Sequence, residues 1–410
     1  IAAAAWPAPE TELLGEWLLR AADGWTNRAN SALPLGDAGC PLDEAVAACV
    51  AFYTTRGLTP KITVALPVRR DVARHLTAAG WIAQPEVLVQ TAELDRITAL
   101  AGTVGATAAA GPARPHAAPD RHGANTMDEL ELISEHRCFG GVQRFYRHAS
   151  RVVGLPMRFG VYLPPQAASG PVPWLVYLAG LTCTEETFAI KAGAQRVAAQ
   201  LGLALLTPDT SPRGADLPGE ADAWDFGVGA GFYLDATREP WQRHWRMESY
   251  LLDELLPGAV AQLPLDGDRC GLFGHSMGGH GALTLALRHP ERFRSLSAFA
   301  PICAPTRCPW GEKAFAGYLG EDRNGWAAHD ATELMSRQAQ PPYPDGILVD
   351  QGLADRFLEE QLHPHLFEAA CAAVGQPLTL RRHEGYDHGY YFVASFVEDH
   401  LAHHAAILRR

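Results

Sequence analysis

The feature that most restricts what this chain can fold into is a five-residue turn, Gly274-His275-Ser276-Met277-Gly278. Residues 269–273 ahead of it form a short apolar run of strand type, and residues 281–288 behind it have the Ala- and Leu-rich make-up of a helix. A strand that passes into a helix through Gly-x-Ser-x-Gly holds the serine hydroxyl at the tip of a cramped bend, where flanking side chains would collide. Such a hydroxyl is a poor nucleophile until a base takes its proton. The N-terminus of the following helix favours negative charge beside it. Chance alone puts the pattern in about one chain in ten of this length, so the flanking elements carry the weight. Ser276 is expected to be a nucleophile.

The same alternation extends around the turn. Residues 174–178, 203–207, 295–300, 347–349 and 378–380 are short apolar runs and read as strands. Residues 192–201, 247–263 and 362–374 have helical spacing, the second with apolar side chains at 251, 252, 255, 256 and 260. Strands alternating with helices predict the α/β class, with a mainly parallel sheet covered on both faces. With the serine turn added, the expectation is an α/β-hydrolase fold. Upstream, Ala101-Gly102-Thr103-Val104-Gly105-Ala106 and Gly111-Pro112-Ala113-Arg114-Pro115 have no apolar period and read as linker. The expected organisation is a smaller α+β segment at 1–95, a flexible linker at 96–126 and the hydrolase-type domain at 127–410, with Met127 a candidate start for the last.

Composition enters through what it excludes. A formal net charge of −12 leaves no basic stripe for phosphates, so no nucleic-acid partner is expected. No run of 18 apolar residues is present, so no membrane span is expected. Residues 1–10 are Ala-rich but lack the basic and long apolar regions of a signal peptide, and the first residue, Ile1, is not Met. The 8 cysteines include no Cys-x-x-Cys and no zinc spacing. Most are expected to be small buried side chains in a reducing cytoplasm, with a Cys303–Cys308 bridge the less favoured reading. No metal and no cofactor are expected.

The chemistry needs three further parts. One backbone donor for an oxyanion should come from the loop Leu178-Ala179-Gly180-Leu181-Thr182-Cys183-Thr184, at Leu181, and the other from the N–H of Met277. Loss of one such donor costs about 3 kcal/mol of transition-state stabilisation. In this fold the acid follows the serine in the chain and the base comes last. The run 347–349 leads to Asp350 and Asp355; either can serve, and Asp355, further out on the loop, is favoured. After 378–382, His383 lies too close to the strand, while His388 lies in the loop beyond it and is expected to be the base. His400, His403 and His404 read as the solvated face of one helix. Cys183, two residues past Leu181, is a candidate for lining the acyl pocket without attacking.

These residues also carry a resemblance. Ser134-Glu135, Cys138-Phe139-Gly140-Gly141, the stretch 179–186, Lys191-Ala192-Gly193-Ala194, the stretch 222–233, Gly274 to Gly279, Asp350-Gln351-Gly352 with Asp355, and Gly385-Tyr386-Asp387-His388 occur in order. From about Leu130 onward the chain resembles the S-formylglutathione hydrolase family, also called esterase D. The resemblance implies hydrolysis of S-formylglutathione to glutathione and formate, the closing step of formaldehyde detoxification. It also implies side activity on small carboxylic esters, a cytoplasmic site and often a homodimer. It supports Asp355 over Asp350 and makes Trp224, inside the 222–233 stretch, a candidate pocket residue. Acyl transfer, or general short-chain carboxylesterase action through the same Ser276, Asp355 and His388, is the alternative.

Residues 16–31 resemble the opening of bacterial acetyltransferases of the GNAT family, and 73–81 the end of such a half-domain. An acetyltransferase needs a Gly-rich loop between strand and helix for the acetyl-CoA pyrophosphate. The best candidate, Gly102-Thr103-Val104-Gly105, falls in the expected linker, so the segment reads as part of a domain.

Overall fold

The computed structural model describes residues 10–21, 31–64, 70–79, 127 and 129–410. They belong to two units, residues 1–116 and 117–410. The expected linker at 96–126, with Gly102-Thr103-Val104-Gly105, lies outside the described residues.

In the first unit β1 (Glu10–Leu14) turns back at Gly15 onto β2 (Trp17–Ala21), which pairs on its other side with β3 (Leu33–Pro34). The middle strand is the buried one, and Trp17 and Leu19 point to a core shared with α1 (Leu42–Thr54) and α2 (Arg70–Ala78). Cys49, Phe52 and Tyr53 from α1 fill it, and Val72 and Leu76 from α2 complete it. Arg20 is buried here as well, its guanidinium donating to the Ser31 carbonyl at 3.3 Å and to Ser31 Oγ at 3.2 Å. The unit is a small α+β body with an antiparallel sheet.

The second unit opens with three strands that the apolar runs did not announce: β4 (Glu131–Cys138), β5 (Gly141–Ala149) and β6 (Pro156–Leu163). β4 and the outer positions of β5 are polar because β4 is a sheet edge, exposed along most of its length. Six strands then follow the apolar runs: β7 (Val172–Leu178), β8 (Ala204–Pro208), β9 (Leu265–His275), β10 (Ser295–Phe299), β11 (Ile347–Gly352) and β12 (Leu378–His383). β7 and β8 are apolar nearly end to end, and β10 is buried along its whole length, because a parallel sheet is covered on both faces. The sheet has 9 strands in the order β12-β11-β10-β9-β7-β8-β6-β5-β4. All pairings from β8 through β7 to β12 are parallel; those among β4, β5, β6 and β8 are antiparallel. This is the α/β-hydrolase arrangement expected from the sequence.

Helices cover the sheet. α3 (Glu185–Lys191) and α4 (Gln195–Leu201) stand where one helix over 192–201 was expected, because Ala192 already caps the first and Gly193 turns the chain with φ 67°. The helical run 247–262 is π-helical over Tyr250–Leu255. Pro257 has no N–H to give back, and a slip of the bonding pattern accommodates that. α5 (Met277–Arg288) follows the serine turn, α6 (Pro364–Val374) precedes β12, and α7 (Tyr390–Leu408) closes the chain.

α7 corrects one expectation. His400 and His404 are fully buried against the sheet, not solvated. His404 bonds Ser295 Oγ at 2.6 Å and Ser297 Oγ at 2.8 Å; His400 bonds Ser297 Oγ at 2.8 Å and Asp350 Oδ2 at 3.2 Å. The serines of β10 project from one face, two residues apart, and need polar partners inside the core. Burial lowers the pKa of both imidazoles; His403 and His400 add to this at His404, whereas the Asp350 carboxylate opposes it at His400. All 8 cysteines are free thiols, Cys303 and Cys308 included.

Candidate active site

Ser276 ends β9 in a backbone conformation of φ 59°, ψ −121° that L-residues rarely adopt. Its surroundings leave no other choice. Its N–H donates to the Phe299 carbonyl at 3.0 Å, and its carbonyl accepts from the N–H groups of His280 at 2.9 Å and Ile302 at 3.3 Å. A Cβ on Gly274 would stand 2.2 Å from the Gly278 carbonyl oxygen, and one on Gly278 would stand 1.9 Å from the Leu178 carbonyl oxygen. The glycines of the motif are there because backbone passes where side chains would be.

The sequence-expected partners converge on that serine. His388 Nε2 is 2.8 Å from Ser276 Oγ, and its Nδ1 is 2.5 Å from Asp355 Oδ2. Asp355 is fixed in turn: Oδ1 accepts from the Phe357 N–H at 2.8 Å and Oδ2 from Gln351 Nε2 at 3.3 Å. The other carboxylate is engaged elsewhere. Asp350, within β11, takes two bonds from Arg381 at 2.6 and 2.5 Å besides the one from His400. Burial alone would raise its carboxyl, but His400 and Arg381 hold it well below the usual carboxylate range. His383 ends β12 and comes within 3.2 Å of Asp350 without hydrogen-bond geometry.

Leu181 follows Gly180 in the loop after β7, and Met277 follows Ser276 directly. Met277 is the first residue of α5, and the loop after β7 brings Gly180 so close that a Cβ there would be 3.1 Å from Ser276 Cβ. Among the described residues neither the Leu181 nor the Met277 N–H is taken up by an acceptor. Both are free to donate to a third atom.

The candidate pocket residues fall on two sides. Cys183 is half-buried under Tyr390, two residues past His388; burial pushes its thiol up, against hydrogen bonding from Thr187 and Tyr390. Trp224 is 56% exposed and meets Trp310 edge-on, with centroids 5.5 Å apart. Trp310 packs on Phe357 at 4.7 Å, and Phe357 on His388 at 5.0 Å. Trp224 thus begins a row of rings that ends at His388.

Sequence reasoning missed His275. Its ring lies 4.6 Å from that of His388, is fully buried, and has no hydrogen-bond partner at either nitrogen among the described residues. Burial, and secondarily the charge of His388, holds it neutral well below the ordinary histidine range. A proton on His388 therefore meets a neutral neighbour. The signal was at hand, since the residue before the serine in such a turn is bound to lie beside the site.

Comparison with known proteins adds the following. The Esterase family model matches residues 150–403. Across 281 residues the chain is 51% identical to an S-formylglutathione hydrolase of Rattus norvegicus, covering 68% of this chain and 99% of that protein. The corresponding enzyme of Bos taurus is 49% identical over 280 residues. A solved S-formylglutathione hydrolase from Agrobacterium tumefaciens superposes with a TM-score of 0.66 at 49% identity, over 68% of this chain and 99% of that one. A fluorophosphonate-binding serine hydrolase of Staphylococcus aureus, 18% identical with a TM-score of 0.52, shares the fold. Residues 1–134 match a family model described as "Probable histone acetyltransferase Rv0428c C-terminal".

Proposed function

The chain belongs to the S-formylglutathione hydrolase family of esterases through its second unit, and from that membership we propose that it hydrolyses S-formylglutathione to glutathione and formate. Identity of about half over essentially the whole length of the relatives carries this reading. Their shared name is that of a hydrolase, so acyl transfer is not favoured. Side activity on small carboxylic esters belongs to the same proposal.

The distances within the Ser276, His388 and Asp355 set support the following sequence of steps. With His388 Nε2 at 2.8 Å, Ser276 Oγ gives up its proton as it attacks the formyl carbon. Asp355 on Nδ1 fixes the ring so that Nε2 faces the serine, and it stabilises the imidazolium that forms. The carbonyl oxygen, now negative, is received by the N–H groups of Leu181 and Met277, with the α5 N-terminus behind it. The tetrahedral adduct collapses with cleavage of the C–S bond, and His388 returns its proton to the glutathione sulfur. Water, activated by the same imidazole, attacks the formyl-serine and releases formate. The row from Trp224 to Phe357 offers apolar ring faces and edges to the thiol carrier, and Cys183 lines the acyl side.

A reducing cytoplasm suits eight free thiols, and no helix of the described residues is long and apolar enough to cross a membrane. A homodimer rests on the family resemblance, and sedimentation would test it. The deciding assay compares S-formylglutathione with S-acetylglutathione and longer acyl forms. A kcat/KM that does not favour the formyl thioester would sink the substrate assignment.

A further inference from the structure

The loop that offers the Leu181 N–H is itself strained. Gly180 to Cys183 form a turn closed by the Cys183 N–H, which donates to the Gly180 carbonyl at 3.2 Å. Its third residue, Thr182, has φ 66°. A positive φ at that position is what a type II turn requires, and glycine ordinarily supplies it. For a β-branched residue it is an outlier that persists only when the surroundings over-determine it. Left to itself, the turn would relax by rotating the Leu181–Thr182 peptide toward type I, which needs no positive φ. Gly180 packs directly on Ser276, so a shift in this turn would be felt at the nucleophile.

What over-determines the turn comes largely from one stretch, residues 209–213, which follows β8. The Cys183 carbonyl accepts from Thr210 Oγ1 at 2.6 Å and from Arg213 Nη2 at 3.1 Å. The Thr182 N–H donates to the Gly229 carbonyl at 2.9 Å, and Gly229 is tied back by its own N–H to Ser211 Oγ at 2.7 Å. Asp209 stiffens the stretch from within. It takes Arg213 Nε at 2.6 Å and Nη2 at 2.8 Å, and the Thr210 N–H at 2.7 Å. Asp209, Thr210 and Ser211 are buried. One short segment therefore grips the turn on both sides of its strained residue.

We propose that residues 209–213 brace the oxyanion turn in its strained form, making Arg213 and Thr210 positioning residues for the hydrolytic reaction. They act through the Cys183 carbonyl and touch no substrate. The proposal rests on Ser276 as nucleophile and Leu181 as oxyanion donor, and is independent of the thiol carrier. A brace that served stability alone would alter melting and leave the transition state untouched.

The test uses the full chain with Arg213→Lys and Thr210→Val, assayed on p-nitrophenyl acetate and on S-formylglutathione. The lysine keeps the charge but cannot span both Asp209 and the Cys183 carbonyl; the valine keeps the shape and loses one donor. Removing an oxyanion donor outright costs about 100-fold or more, so displacing one should cost about 10-fold in kcat for Arg213→Lys and somewhat less for Thr210→Val. The same factor should appear on both substrates and in the affinity for a boronic acid, whose tetrahedral serine adduct places an oxygen in the same position, while KM moves little. Thr210→Ser, which restores the hydroxyl, should recover the loss. Folded variants with wild-type kcat and boronate affinity would overturn the brace, as would a lowered melting temperature as the sole effect. A wild-type chain that cleaves p-nitrophenyl acetate but not S-formylglutathione would defeat the substrate reading and leave the brace to be judged on the ester.

Discussion

The two units differ in how much backbone strain their described residues carry. In the first, Arg20 sits in a core built around Trp17, Phe52 and Tyr53, and its bonds to Ser31 tie one strand to the next. In the second, Ser276 and Thr182 hold conformations that cost about 1–3 kcal/mol each, and His275 is buried with neither nitrogen bonded. A small body has little stability to set against such features, because the fraction of surface it buries is low. A nine-stranded sheet covered on both faces can offset them. Positive φ at non-glycine residues also occurs elsewhere in the second unit, at Phe139 in the β4–β5 hairpin for one, but Thr182 and Ser276 are the two that belong to the proposed reaction centre.

The largest effect that would sharpen this contrast is at the serine. Ser276→Ala should lower kcat by about a million-fold with the fold retained, and His388→Ala should be comparably damaging, because such groups act as a unit. Stopped assays with circular dichroism on the same samples check both. A residual rate near wild type in either would break the assignment.

The two aspartates come next. Asp355→Asn should cost about 10,000-fold in kcat through loss of the imidazole's orienting partner. Asp350→Asn should act mainly on stability, since it weakens the bonds of a buried carboxylate to the partly exposed Arg381, at a cost of about 1–3 kcal/mol. The reverse pattern, a mild Asp355→Asn and a catalytically dead but stable Asp350→Asn, would overturn the choice between them.

A smaller effect separates the units by pH. Burial first, then Asp209, raises Glu185 from 4.5 to about 7. A carboxyl raised in the folded state lends stability that is full below its unfolded value and lost as pH climbs to the folded one. Between pH 5 and 8 the second unit should therefore lose stability through this group, and Glu185→Gln should lose about 2–4 °C less melting temperature over that interval. The buried Arg20 of the first unit stays charged throughout the range and contributes no such slope. Parallel melting curves for wild type and variant would refute the assignment.

The smallest expected effect is that of removing the first unit altogether. A chain beginning at Met127 keeps the Met127 side chain that packs on Gly258, and should retain kcat/KM within about twofold, as separable domains do. Residues 1–116 alone should show no acetyltransferase activity; acetyl-CoA binding to them in calorimetry would mean that their phosphate-binding part had been misread.

What the sequence made legible was local or strongly apolar. Ser276 announced itself because strand, glycines and helix are contiguous, and the parallel strands because both their faces are covered. Asp355 and His388 needed the order of elements plus a resemblance, since each is one polar residue in a polar loop. β4 was missed because an edge strand such as Glu131–Cys138 looks like solvated chain; β5 and β6 are interior strands, with charged residues such as Arg144, Arg147 and Arg158 interrupting their apolar positions. His400 and His404 were misjudged for a related reason: histidines three and four apart on a helix suggest a wet face. The two serines of Ser295-Leu296-Ser297 were the clue that something polar had to meet them from above. Asp209, Thr210 and Arg213 carry no motif at all, and only the folded chain puts them against Cys183.

The strand order has a consequence for the ancestry of such chains. β4 is the outermost strand, and five inter-strand steps, roughly 24 Å, separate it from β9, which leads into Ser276. Whatever precedes β4 in the gene joins the enzyme at the margin furthest from Asp355 and His388, whose strands lie toward the opposite edge. Sequence added at that edge of the sheet need not disturb the strands that position Ser276, Asp355 and His388. Such a margin is a natural graft point.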